Sequence, residues 1–171
     1  MFEEIVAAAC AESPLWAEAL RARGERAPEA VFSPLGPEQY ALGIETIYEG
    51  YLVHYGRSRL FAPSDEETAL LLGDYLYAHG LVHVTEAGDV AAVADLAELI
   101  SLCGQARAEG RGGDGAAWAA TATRLGEGVL DDARDALRLN GDPTLLDSAA
   151  RGAAGDDAVE RALAAHARLV L

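Results

Sequence analysis

The chain contains no lysine. All thirteen of its basic residues are arginine. That absence excludes Schiff-base chemistry, a lysine general base and a phosphate-binding loop built on lysine. There are two cysteines, Cys10 and Cys103, far apart in apolar helical contexts. They read as two buried free thiols, with a disulfide left open. Aromatic residues make up only 6 % of the sequence. No uninterrupted apolar run reaches the length of about 18 residues that a membrane-spanning helix needs. The start, Met1-Phe2-Glu3-Glu4, has no basic segment of the secretory kind, so a cytoplasmic location is expected. Basic residues are also outnumbered by 28 acidic ones, for a formal charge of −15. This argues against binding nucleic acid through phosphates and against docking on an anionic membrane.

What is present is an alanine-rich globular composition, 51 % apolar and 24 % charged over 171 residues. It suits a single helical domain, 1–171, with a flexible loop at about 109–115. Alternating apolar runs and hairpin signals are missing, so the expected fold class is all-α, an antiparallel helical bundle. A short apolar helix is expected over 2–11. Ser13-Pro14 starts a second, running to about Arg23, by the cap-then-proline rule. Pro37 opens a longer helix through "YEGYLVHYGRSRLF". Ser64 and Glu67 form a capping box for a helix over about 65–85. Gly88-Asp89 caps the next. A helix is expected over 115–139, weakened by Gly126 and Gly128, and two more start at Asp142-Pro143 and Asp156-Asp157.

Three clusters could carry chemistry. In "DDARD", Asp131 and Asp135 share a helix face, and with Asp132 they could hold Mg²⁺. Asp131 and Asp132 equally suit the start of a helix, where carboxylates complement its dipole. In "HGLVH", His79 and His83 stand four apart, a spacing that can ligate zinc, although a surface or interface role also fits. In "HYGRSRLF", Arg57 and Arg59 could grip a diphosphate through bidentate hydrogen bonds, or else complement a helix C-terminus. His54 and His166 stand alone. No nucleophile elbow, glycine-rich phosphate loop or paired CxxC appears.

The block from about 40 to 105 resembles part of the polyprenyl synthetase family, the all-α isoprenyl diphosphate synthases. The text that carries it is "YLVHYGRSRLF", then "ALLLGDYLYAHGLVHV", then "GDVAAVADLAELISLCGQA". The spacing from Gly73-Asp74 to Gly104-Gln105 is its most specific part. The resemblance implies a fold that is isoprenoid-synthase-like in part. It departs from the family where catalytic members carry an aspartate-rich metal motif, because this chain reads His54-Tyr55-Gly56-Arg57. The family's substrate-binding lysines are also missing. Prenyl transfer needs Mg²⁺ held between two facing carboxylate clusters.

The resemblance therefore implies a non-catalytic or degenerate relative, an accessory subunit in polyprenyl chain synthesis. The small subunit of heptaprenyl diphosphate synthase is the nearest kind, with a catalytic prenyl synthase subunit as partner. Two alternatives stand beside it. One is a self-associating helical scaffold using tyrosines 48, 51, 55, 75 and 77 as an exposed interface. The other is a small Mg²⁺-dependent enzyme acting on a diphosphate through Asp131, Asp132 and Asp135 with Arg57 or Arg59. Gly73 is expected to let another helix approach closely. Asp74 is expected to hydrogen-bond a neighbouring helix end, or Arg57 or Arg59.

Overall fold

A computed structural model of the chain describes residues 1–170. The described residues form nine α-helices and no strand, in agreement with the all-α expectation. The helices are α1 (Phe2–Glu12), α2 (Pro14–Glu18), α3 (Ala41–Tyr55), α4 (Glu66–Thr85) and α5 (Val90–Ala108), followed by α6 (Asp114–Thr123), α7 (Asp131–Asn140), α8 (Thr144–Ala154) and α9 (Asp156–Leu169). None of them is long and apolar enough to cross a membrane.

The organising element is α3. Every residue from Gly43 to Leu52 is buried, so this helix has no solvent face. It runs antiparallel to α4 through two glycine pairs, Gly43 with Gly80 and Gly50 with Gly73. A Cβ on Gly80 would sit 2.9 Å from the Gly43 carbonyl oxygen, and one on Gly50 2.9 Å from that of Gly73. Backbones can meet this closely only where neither residue has a side chain. Helices α5, α6, α8 and α9 complete the main core around Phe32, Tyr48, Tyr51 and Trp118. A smaller core joins α1 and α2 to Leu60, Phe61, Leu72 and Leu76. Tyr48 and Tyr51 are fully buried and Tyr55, Tyr75 and Tyr77 half-buried. The tyrosines therefore do not form the exposed interface expected of them: they fill the space between helices.

Ser13 caps α2 through Leu15 N–H, with Pro14 in the first turn, and Asp89 caps α5 through Ala92 N–H, both as expected. The helix expected to open at Pro37 begins at Ala41, because Glu38–Tyr40 form a 3-10 turn that leads into it. Four further boundaries differ, each for a physical reason. Helix α2 stops at Glu18 because Ala19 O accepts from Ala62 N–H and Arg21 N–H donates to Leu60 O. Helix α3 stops at Tyr55, since Arg57 N–H donates to Leu169 O at 2.6 Å and draws the chain out of the helix. The cap of α4 is Asp65, whose carboxylate accepts from Thr68 N–H at 2.8 Å and from the Ser64 hydroxyl at 2.9 Å, in place of the Ser64–Glu67 box. The helix expected over 115–139 is two helices, separated where Gly126 and Gly128 take φ of 82° and 64° and Gly126 N–H donates to Asp95.

Candidate functional site

Arg59 is one of the largest fully buried side chains, and all of its charge is answered inside the protein. Glu45 and Glu49, one turn apart on α3, lie on either side of it. Arg59 Nη1 donates to Glu45 Oε2 at 2.5 Å and Nε to Glu49 Oε2 at 2.9 Å. The guanidinium also donates to the carbonyl oxygens of Glu29 and Glu45, and packs against the rings of Tyr48 and Phe2. The second oxygen of each carboxylate is taken as well. Glu45 Oε1 accepts from Val31 and Ser33 N–H, and Glu49 Oε1 from Leu60 N–H and the Ser58 hydroxyl. One arginine and two glutamates thus tie the segments 29–33 and 58–60 to the central helix. Arg59 has no face left to grip a diphosphate.

Arg57, two residues earlier, differs in every respect. Its side chain is exposed and has no carboxylate within 4 Å among the described residues. It lines a cleft of about 300 Å³ with Arg21, Glu25, Ser58 and Leu169. Arg21 is held in place by Nε donating to Ser58 O at 3.0 Å. Arg26 in turn donates to Arg21 O at 2.9 Å, and with Arg23 it lines a second hollow of about 180 Å³. Sequence reasoning found Arg57 but missed Arg21, Arg23 and Arg26, because only folding brings residues 21–26 against residues 57–59.

The three aspartates of "DDARD" are exposed on the first turns of α7 and do not converge. Asp131 lies 3.7 Å from Arg134, Asp135 lies 3.0 Å from Arg138, and Asp132 faces water. Among the described residues, no three His, Cys, Asp or Glu side chains come together as a metal-binding group. Arg134 is buried and paired with Asp95 at 2.8 Å, so this segment anchors α7 to α5.

Gly73 admits the His54 ring, which lies where its Cβ would be. Asp74 is exposed and reaches neither Arg57 nor Arg59. Its Oδ1 lies 3.3 Å from His54 Nε2, in an alignment too poor for a full hydrogen bond. The expected helix-end or arginine partner is therefore replaced by His54, a largely buried histidine. Asp74 sits about 100° round the helix from Gly73, so only one of the two can face the interface.

One constellation left no trace in the sequence. The Tyr48 hydroxyl and His166 Nδ1 are 2.9 Å apart, His166 Nε2 lies 3.7 Å from Asp114 Oδ2, and Asp114 also accepts from the Tyr51 hydroxyl and Arg107. Burial works against the Asp114 charge, but these partners hold its carboxyl well below the usual carboxylate range. Burial pushes the Tyr48 and Tyr51 hydroxyls up, as it does the Cys103 thiol, which is free and inert at neutral pH. The network joins α3, α5, α6 and α9, and the hydroxyls remain donors throughout the physiological range. No family model, curated protein or solved structure matches the chain.

Proposed function

We propose that the chain is a helical accessory protein that binds a phosphate-bearing anion in the arginine cleft, the role expected of a non-catalytic relative of the isoprenyl diphosphate synthases. One observation carries this reading. Of the thirteen arginines, eight lie within 4 Å of a carboxylate among the described residues, and four of the other five are Arg21, Arg23, Arg26 and Arg57. A chain of charge −15 has carboxylates to spare for every arginine. Four guanidinium groups with no carboxylate partner among the described residues, gathered around residues 21–26 and 57–59, favour a dianionic group supplied from outside. Guanidinium forks match its oxygens two at a time. Glu25 on the cleft wall would disfavour a large anionic surface and leave room for a small one.

Calorimetric titration with inorganic diphosphate, orthophosphate and a short prenyl diphosphate tests the reading. Diphosphate should bind saturably and more tightly than orthophosphate, and R57A and R21A should each weaken it about tenfold, near 1.4 kcal/mol. R161A, which removes the remaining arginine that has no carboxylate partner among the described residues, should leave binding unchanged. Absence of saturable binding at millimolar ligand, or equal losses in R161A and R57A, would sink the anion site. Tighter binding of the prenyl diphosphate than of diphosphate itself supports the isoprenoid link. Co-purification from the native host with a synthase that carries intact aspartate-rich motifs supports the accessory role.

A further inference from the structure

The histidines of "HGLVH" lie on α4, at the opposite end from its capped start and away from the arginine cleft. His79 and His83 are both partly buried. Their Nε2 atoms share a hydrogen bond of 3.1 Å, with the rings edge to face, and a metal would take the place of the shared proton after a small turn of the rings. Metal–nitrogen bonds of about 2.0–2.1 Å put two ligating nitrogens about 2.9 Å apart at a right angle and about 3.3 Å apart at the tetrahedral angle. The observed separation falls between those limits without any movement of the helix.

We propose that His79 and His83 form a two-imidazole clamp for a borderline divalent transition metal such as Zn²⁺, Ni²⁺ or Cu²⁺, with water completing the shell. Each ring is already oriented. His79 stacks on Tyr75 at 5.3 Å between centroids, and Tyr75 stacks on Trp16 of α2. The remaining ring nitrogen of His83 has no hydrogen-bond partner in the protein and lies 3.9 Å from Glu86 Oε2. At that distance the carboxylate contributes negative potential to the clamp without a hydrogen bond to the ring. Glu12 and Glu86 add negative potential at His79 that favours a cation.

The donor set selects the metal. Neutral imidazole suits Zn²⁺, Ni²⁺ and Cu²⁺, whereas Mg²⁺ and Ca²⁺ prefer oxygen ligands. Gly80, between the two histidines, is required by the contact with α3 rather than by the metal. The clamp therefore occupies the outer side of a helix whose inner side is fixed by packing.

Titration of the full chain with ZnCl₂, NiCl₂ and MgCl₂ in a non-chelating buffer decides the matter. One equivalent of Zn²⁺ or Ni²⁺ should bind, with at least a tenfold loss in H79A and in H83A and no change in H54A. Mg²⁺ should neither bind there nor compete. Nitrogen NMR of the imidazole rings provides a second readout that needs no variant. The Nε2 signals of His79 and His83 should shift on adding Zn²⁺, while those of His54 and His166 stay in place. Zn²⁺ binding that survives H79A and H83A, or ring signals unmoved at saturation, would overturn the site and assign any binding to the acidic surface.

Discussion

Arg57 and Arg59 are two residues apart and chemically identical, yet folding gives them opposite fates. Arg59 is enclosed by Glu45 and Glu49, and Arg57 faces a cleft with no carboxylate partner among the described residues. Replacing Arg59 by Met leaves two carboxylates buried without their counter-charge. Unfolding by urea should show a loss of about 3–5 kcal/mol, the usual result of breaking a buried ion pair from one side. R57A should stay within about 0.5 kcal/mol of the parent, as exposed substitutions do. A comparable loss in both would contradict the enclosure of Arg59. The pair "RSR" shows how far the sequence can be read at this scale. It identified both arginines as notable, but which one is enclosed depends on where Glu45 and Glu49 fall, 14 and 10 residues from Arg59 along the chain but adjacent to it in space. The same is true of Asp74. Its position beside Gly73 was legible, and its partner was not, since the partner depends on which side of α4 meets α3.

At the scale of the helix, the contact between α3 and α4 rests on glycines seven residues apart on both strands of the pair, 43 with 50 and 73 with 80. An alanine in a helix is ordinarily about 1 kcal/mol better than glycine. At Gly80 the added Cβ would meet Gly43 O at 2.9 Å and Ile47 N at 3.0 Å, both backbone atoms that cannot turn aside. G80A should therefore destabilise the protein by about 1–3 kcal/mol, the range for overpacking. Gly152, in α8, has nothing within 4 Å of its Cβ position, and G152A should stabilise instead. Thermal melts of the two variants should move in opposite directions. Helix starts were legible in the sequence wherever the capping atoms are local, as at Ser13 and Asp89. Helix ends at Glu18, Tyr55 and Thr123 were not, because each is set by a distant backbone partner or by a glycine turn whose anchor, Asp95, lies on another helix.

For the molecule as a whole, His54, His79 and Asp114 carry a response to acid. His54 is kept below its ordinary pKa of 6.5 by burial, with Asp74 pulling the other way. His79 is likewise lowered, by burial and by His83. An unfolded chain takes up protons at these groups that the folded chain resists, so their contribution to stability is complete above pH 6.5 and is lost as the pH falls through that value. Asp114, with its carboxyl held low, adds a further loss only below about pH 4, where the unfolded carboxyl begins to protonate. Urea midpoints should fall between pH 7 and pH 5. The fall should shrink in H54N and grow in D74N, which removes the charge that favours protonation. A midpoint constant across that range, or a slope indifferent to both substitutions, would show that His54 is hydrated.

The enclosure of α3 also has a kinetic meaning. Its carboxylates are answered by residues 29–33 and 58–60, and its tyrosines by Arg107, Asp114 and His166, so partners arrive from both sides of the sequence and from the last helix. A hairpin of α3 and α4 can form early, since its contacts are local and its own connection carries Arg59, but it would leave Glu45 Oε1 without the Val31 and Ser33 N–H groups and the α3 tyrosines without Asp114 and His166. The cost of that half-built state is removed only when the distant segments dock. Folding should accordingly be all-or-none, with the central hairpin as a fleeting nucleus and no stable halfway house.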